Sequence, residues 1–182
     1  MNMRRTRLRI GLAATLLVLL VAGASAWGFA RLRQNSLLAL QHCADNATLP
    51  GAGWVCRQAM RTTQPQPDEI AYMNSRAGAQ WVFIADRDDD ARALLRRYLD
   101  AGLDLHAVDE QQRRWTALHS AALDGEEREV RILLEFGADA SRRDTEGRTP
   151  ADLARLAAQK QPDEQARFMK VAQTLDQAVQ QR

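Results

Sequence analysis

The sequence predicts an all-α protein. The expected architecture is a solenoid of about three helix-turn-helix units, with an N-terminal transmembrane or signal helix and a disulfide-braced helical cap ahead of it. Three observations carry this reading. Segments of the C-terminal half repeat at an offset of 33 to 35 residues. Aromatic residues are 5% of the 182 while hydrophobic residues are 46%, so the core must come from Ala, Leu and Val, which suit close-packed helices. Residues 10–30 carry no charge. The predicted parts are 1–33 (basic tip and apolar helix), 34–79 (cap) and 80–182 (solenoid).

The first element is the stretch Ile10 to Ala30, 21 residues without a charge. As a helix it is long enough to cross a hydrocarbon core of about 30 Å. Arg4, Arg5, Arg7 and Arg9 precede it, and Arg31 and Arg33 follow. The positive-inside bias holds such an N-terminus in the cytoplasm and sends the remainder across the membrane. Two fates are open. Trp27, Gly28 and Phe29 continue the apolar run before the arginines, which favours an uncleaved single-pass anchor. Ala24-Ser25-Ala26 has the small-x-small form of a cleavage site, so the alternative is a soluble protein released after Ala26. The composition, with 23 Arg against 2 Lys, has the bias of GC-rich bacterial coding. The expected location is therefore the bacterial inner membrane with the C-terminal domain in the periplasm, or the periplasm itself after cleavage.

The second element holds both cysteines, Cys43 and Cys56. Pro50, Gly51 and Gly53 lie between them to reverse the chain. An even cysteine count in an exported segment reads as one structural disulfide. Closing so short a loop stabilises by about 3 kcal/mol in the chain-entropy model. The competing readings are a metal site using His42, Cys43 and Cys56, or a redox pair. Neither finds its usual Cys-x-x-Cys spacing here.

The repeats come next. At an offset of 35, Leu99 falls on Leu134, Gly102 on Gly137, Asp104 on Asp139 and Asp109 on Asp144. At 33, Thr116-Ala117-Leu118-His119 falls on Thr149-Pro150-Ala151-Asp152. The difference sits in one loop, where insertions in repeat arrays collect. Thr116 and Thr149 are N-caps, and Pro150 occupies the first helical position, where its missing N–H costs nothing. Val130, Leu133 and Leu134 make an apolar stripe on a second helix, and Gly137 ends it.

This unit resembles the ankyrin repeat. The resemblance is carried by Thr116-Ala117-Leu118-His119 with Ala121-Ala122 and Gly125, then Val130 to Glu135 and Gly137-Ala138-Asp139. Asp144, Gly147, Arg148, Thr149 and Pro150 open the next unit. It is nearly complete over Trp115 to Ala154. The preceding unit, Trp81 to Asp109, fits only in its second helix, and WVFIADRDDD departs from the pattern. The last unit keeps its first helix, Pro150 to Ala158, and is expected to end on a polar capping helix over about 163–178.

The resemblance implies protein binding through loop fingers and the exposed sides of the first helices. The candidate partner-binding residues are then Arg113, Arg114, Trp115, Leu123, Asp124, Glu146 and Arg148. Trp and Arg dominate binding hot spots, which singles out Trp115 in the longest loop. Two placements of it are open: exposed toward a partner, or folded back onto its own array. His119 is implied to be structural, bonding the neighbouring loop backbone. The acidic run Asp86, Asp88, Asp89, Asp90 does not have an EF-hand spacing and reads as the dipole-matching start of a helix.

Charge excludes one class of partner. Six arginines precede Gln34 and no acid does, so 19 basic residues face 23 acidic ones in the remainder. That body lacks the basic stripe that phosphate backbones require, and no nucleic acid is expected. No nucleophile elbow, phosphate loop or His-Glu-x-x-His motif is present, so neither catalysis, a cofactor nor a small-molecule substrate is expected. The reading is a non-enzymatic module for a periplasmic protein partner, of immunity or inhibitor type in its most concrete form. The alternatives are a tethered accessory factor for an envelope stress-defence enzyme and the His42–Cys43–Cys56 metal or redox protein.

Overall fold

The computed structural model describes residues 36–181. The expected transmembrane or signal helix and its cleavage site lie outside the described residues. The chain divides into two compact units, Met1–Thr63 and Gln64–Arg182.

In the first unit, helices α1 (Leu37–Asn46) and α2 (Ala52–Thr62) pack as a hairpin. Ser36 caps α1, its Oγ accepting the Ala39 N–H at 3.1 Å. Leu37, Leu40 and Ala44 of α1 and Cys56 and Ala59 of α2 are buried. Cys43 and Cys56 form a disulfide with their Cα atoms 6.0 Å apart. Both sulfurs are spent on each other, so the His42–Cys43–Cys56 arrangement has no thiolate to offer a metal. Gly53 does not turn the chain, as its place in the loop suggested. It lies inside α2, where a Cβ would come within 2.8 Å of the Ala44 carbonyl oxygen, so a bare Cα sets how closely the helices approach.

The second unit is larger than the predicted solenoid. It begins at Gln64, just ahead of Pro65 and Pro67, and the expected boundary between residues 79 and 80 cuts through a 3-10 helix, Gly78–Ile84. Helix α3 (Pro67–Ser75), placed in the cap by the sequence reading, belongs to this unit. Pro67 opens it, and Asp68 and Glu69 match its dipole. Glu69 ties it to the following helix, accepting the Tyr98 hydroxyl at 2.7 Å. Repeat patterning does not register α3 because it has no counterpart in the later units.

Three pairs follow. The 3-10 helix stands where the first repeat needs its first helix, and α4 (Asp88–Asp100) is the second. The stretch WVFIADRDDD is therefore two elements with a break at residues 85–87. Helices α5 (Ala117–Asp124) and α6 (Glu127–Glu135) form the next pair, and α7 (Pro150–Lys160) and α8 (Gln165–Gln180) the last. The first helices pack in one row, 3-10 helix to α5 to α7. The second helices make another, α4 to α6 to α8. Leu94, Leu95, Leu118, Ile132, Leu133, Leu153 and Leu175 fill the space between rows, each at 2% exposure or less. Each contributes about 1.5–3 kcal/mol relative to exposure. The last helix is not polar all round. Phe168, Val171, Ala172 and Leu175 face inward, and only its outer face is polar, as the end of a solenoid requires.

Gly125 shows why the tight turn inside the central pair tolerates nothing larger. Its φ is +71°, and a Cβ would meet Phe168 Cε1 at 2.8 Å. Along the second-helix row, Asp88 starts α4 as the acidic run predicted. It also accepts from Arg128 Nε at 2.7 Å and from Arg131 Nη2 at 2.8 Å, both on α6. Arg92 reaches Glu135 at 2.8 Å. A charge network therefore joins the first two pairs.

Candidate protein-binding surface

Two loops between the pairs project as fingers. Their geometry follows from their first residue. Asp109 and Trp115 exchange an isolated antiparallel bridge, with Asp109 N–H donating to the Trp115 carbonyl at 2.8 Å. The Asp109 carboxylate accepts the Gln111 N–H at 2.8 Å and faces Arg76 Nε at 3.3 Å. The second finger repeats the device: Asp144 N–H donates to the Arg148 carbonyl at 2.9 Å. The two extra residues of the first finger have a backbone cost. Arg113 and Arg114 have φ of 53° and 58°, a left-handed conformation costing about 1–2 kcal/mol for a non-glycine residue.

Asp144 is the centre of the surface. One oxygen accepts the backbone N–H groups of Glu146 and Arg148 at 2.8 and 2.9 Å. The other accepts Arg148 Nη2 and Nε at 2.8 and 3.0 Å and the Trp115 indole N–H at 3.1 Å. Burial alone would raise this carboxyl. The Arg148 backbone N–H, its guanidinium, the indole and the Glu146 N–H outweigh it and hold the pKa at about 2.

The open question about Trp115 is thereby answered. It is half-buried and folded back onto the next finger rather than presented to solvent. Its carbonyl and indole are both occupied by the array. The Arg113 guanidinium lies 5.8 Å from its ring centre, and Arg113 also pairs with Glu146 at 2.6 Å. Glu146 in turn holds Arg148 at 2.7 Å, and Thr145 N–H donates to the Arg113 carbonyl at 2.9 Å. The two fingers are thus knitted into one ridge with Arg113, Arg114 and Glu146 exposed on it.

Five of the seven candidate residues come together on that ridge: Arg113, Arg114, Trp115, Glu146 and Arg148. The other two do not join it. Leu123 and Asp124 lie at the far end of α5, about 10 Å along the helix. Leu123 packs on Ala157, Ala158 and Phe168, and the Asp124 carbonyl accepts from Arg167. Leu123 is therefore partly buried core. Burial, then the nearby Glu126, raises the Asp124 carboxyl. The same acidic cluster acts on Glu129, whose partial burial, with Glu126 and Asp124 nearby, pushes its pKa to about 7.

His119 is fully buried between the fingers and the first-helix row. Its Nδ1 accepts the Thr116 backbone N–H at 3.1 Å, which leaves the ring proton on Nε2. That N–H faces the Arg148 carbonyl at 3.2 Å. Burial lowers its pKa, consistent with a neutral ring. The expected structural role is the one observed. Thr149 caps α7 through a reciprocal pair with Asp152: Thr149 N–H donates to Oδ2 at 2.9 Å, and Asp152 N–H donates to Oγ1 at 3.2 Å.

Sequence reasoning used Asp109 and Asp144 only to align the repeats. The signal for their role was present: each opens a finger and recurs at an offset of 35. Among the described residues, no three His, Cys, Asp or Glu side chains gather as a metal site needs. None of the described helices is long and apolar enough to cross a membrane.

Stacked helix pairs with polar projecting fingers define a helical-repeat interaction module. Residues 98–154, from the end of α4 into α7, match the family model for ankyrin repeats (many copies). The repeats over these residues are similar to ankyrin repeats, and ankyrin repeats are protein–protein interaction modules. No curated protein matches the chain.

Proposed function

We propose that this protein is a non-enzymatic binder that presents its finger ridge to a protein partner in the bacterial periplasm. The observation that carries the reading is the ridge itself. Of the five candidate residues on the two fingers, Trp115, Glu146 and Arg148 are bonded to one buried carboxylate, Asp144, and Arg113, Arg114 and Glu146 are exposed. A preformed polar ridge spends little entropy on binding, which suits recognition. The apolar run at 10–30 with its flanking arginines supports an inner-membrane anchor with the array on the periplasmic side. An immunity or inhibitor role is the concrete form: the ridge would cover the working surface of an exported enzyme or toxin.

The test uses the full-length, C-terminally tagged protein purified from gently solubilised membranes. Arg113→Ala with Arg114→Ala is the informative variant, because both side chains are exposed and alanine keeps the Cβ, so the left-handed backbone cost at both positions is unchanged. Trp115→Ala is not, since it would also loosen the ridge. A stoichiometric partner held by the wild type and lost by the double variant is expected. A partner retained by a folded double variant refutes the ridge as the contact. The intact mass separates anchor from cleaved signal, starting at Met1 or at Trp27.

A further inference from the structure

The first unit carries a surface that the binding reading does not use. Leu49, in the turn of the hairpin, is 73% exposed, and Trp54, in the first turn of α2, is 61% exposed. Arg57 and Arg61 follow Trp54 at i+3 and i+7, which puts all three on one stripe of α2, and both arginines are exposed. Arg57 donates one nitrogen to the Ala44 carbonyl at 2.9 Å, which fixes its side chain along the hairpin. The opposite face of α2 is buried through Cys56 and Ala59. The disulfide therefore holds a Leu–Trp–Arg–Arg face pointing outward.

The charge distribution of the chain sorts the same way. Residues 1–63 hold eight arginines, of which four (Arg31, Arg33, Arg57 and Arg61) lie on the hairpin's side of the uncharged run, and a single acid, Asp45. Residues 64–182 hold the other 17 basic residues against 22 acids. Position in the chain then limits what this face can meet. The uncharged run ends at Ala30, and α1 is capped at Ser36. Six residues span at most about 20 Å, and α1 is only about 15 Å long. If residues 10–30 lie in a bilayer, the hairpin is tethered at its surface. Trp favours the headgroup region, and arginines favour anionic lipid.

We infer that the disulfide-held hairpin is a membrane-surface contact, with Trp54 and Leu49 in the headgroup region and Arg57 and Arg61 on anionic lipid phosphates. The inference rests on the anchored reading proposed above. Each arginine near an anionic surface favours contact about fivefold, so the pair should contribute roughly 25-fold.

The experiment reconstitutes the full chain into vesicles of brominated phosphatidylglycerol and phosphatidylethanolamine, or of brominated phosphatidylcholine alone. Bromine quenches tryptophan emission on contact. Trp27, inside the apolar run, reports insertion, and the difference between wild type and Trp54→Phe reports the hairpin. Trp54 is expected to be quenched in the anionic vesicles, and Arg57→Gln with Arg61→Gln to abolish most of that quenching while Trp27 stays quenched. If Trp27 quenches but Trp54 does not, the anchor stands and the surface contact is overturned, leaving this face for a protein. Equal Trp54 quenching with and without the anionic lipid overturns the role of the arginines. If neither tryptophan is quenched, the anchored reading fails and takes this inference with it.

Discussion

Replacing Asp144 with Asn changes one oxygen to an amide and leaves the shape of the finger intact. The oxygen that accepts the Glu146 and Arg148 backbone N–H groups can remain. The other becomes an NH2 facing three donors, the Trp115 indole and two Arg148 nitrogens. The side chain of Asp144 has no exposure, so water neither screens nor replaces these bonds. Its pKa of about 2 against an ordinary 3.8 corresponds to about 2 kcal/mol of stabilisation by the charge. Unsatisfied donors add about 1–3 kcal/mol. The expected loss is thus about 3–5 kcal/mol, much of a typical domain's margin. Urea unfolding at pH 7, followed by far-ultraviolet circular dichroism and tryptophan emission, measures it. A second arm uses pH. The native pKa is depressed, so the charge stabilises fully above pH 3.8 and its contribution fades as pH falls toward about 2. The wild type should lose its advantage over Asp144→Asn across that interval. A variant that unfolds at the wild-type urea concentration, or an advantage that persists at pH 2, refutes the reasoning.

Two further outcomes follow from the same structure. Glu129 has a raised native pKa of about 7, so the folded state holds a proton that the unfolded chain releases above about pH 4.5. Stability therefore declines as pH rises from about 4.5 to 7, and Glu129→Gln should stabilise at pH 8 by about 2 kcal/mol, discounted for partial exposure. Equal unfolding midpoints of variant and wild type at pH 8 would count against this. Gly125→Ala should lower the melting temperature by several degrees. It combines a left-handed backbone cost of about 1–2 kcal/mol with displacement of Phe168. An unchanged melting temperature would show that Phe168 moves aside freely.

Much of the array was legible from the sequence because its signals are local. Thr149, Pro150 and Asp152 cap a helix among themselves, and Gly125 and Gly137 mark turns at the chain positions where they act. The periodic Leu and Ala positions reveal two packing rows because each unit buries the face of the next. Cys43 and Cys56 paired as their number and spacing implied, and His119 took the place the repeat gives it. The first pair was less legible. The 3-10 helix Gly78–Ile84 has no repeat partner in sequence, and α3 joins the second unit through Tyr98, 29 residues away.

The candidate surface divides along the same line. Composition placed Arg113, Arg114 and Glu146 in polar loops, and solvation keeps them exposed. Whether Trp115 faced outward was beyond any local pattern, because its indole is claimed by a carboxylate 29 residues on. Leu123 went the other way for the same reason: Phe168 of α8 covers it. Helix ends and turns are decided by neighbours in the chain, so the sequence by itself determines them. The partner of a half-polar side chain is decided by which element folds beside it, and only the tertiary structure supplies that.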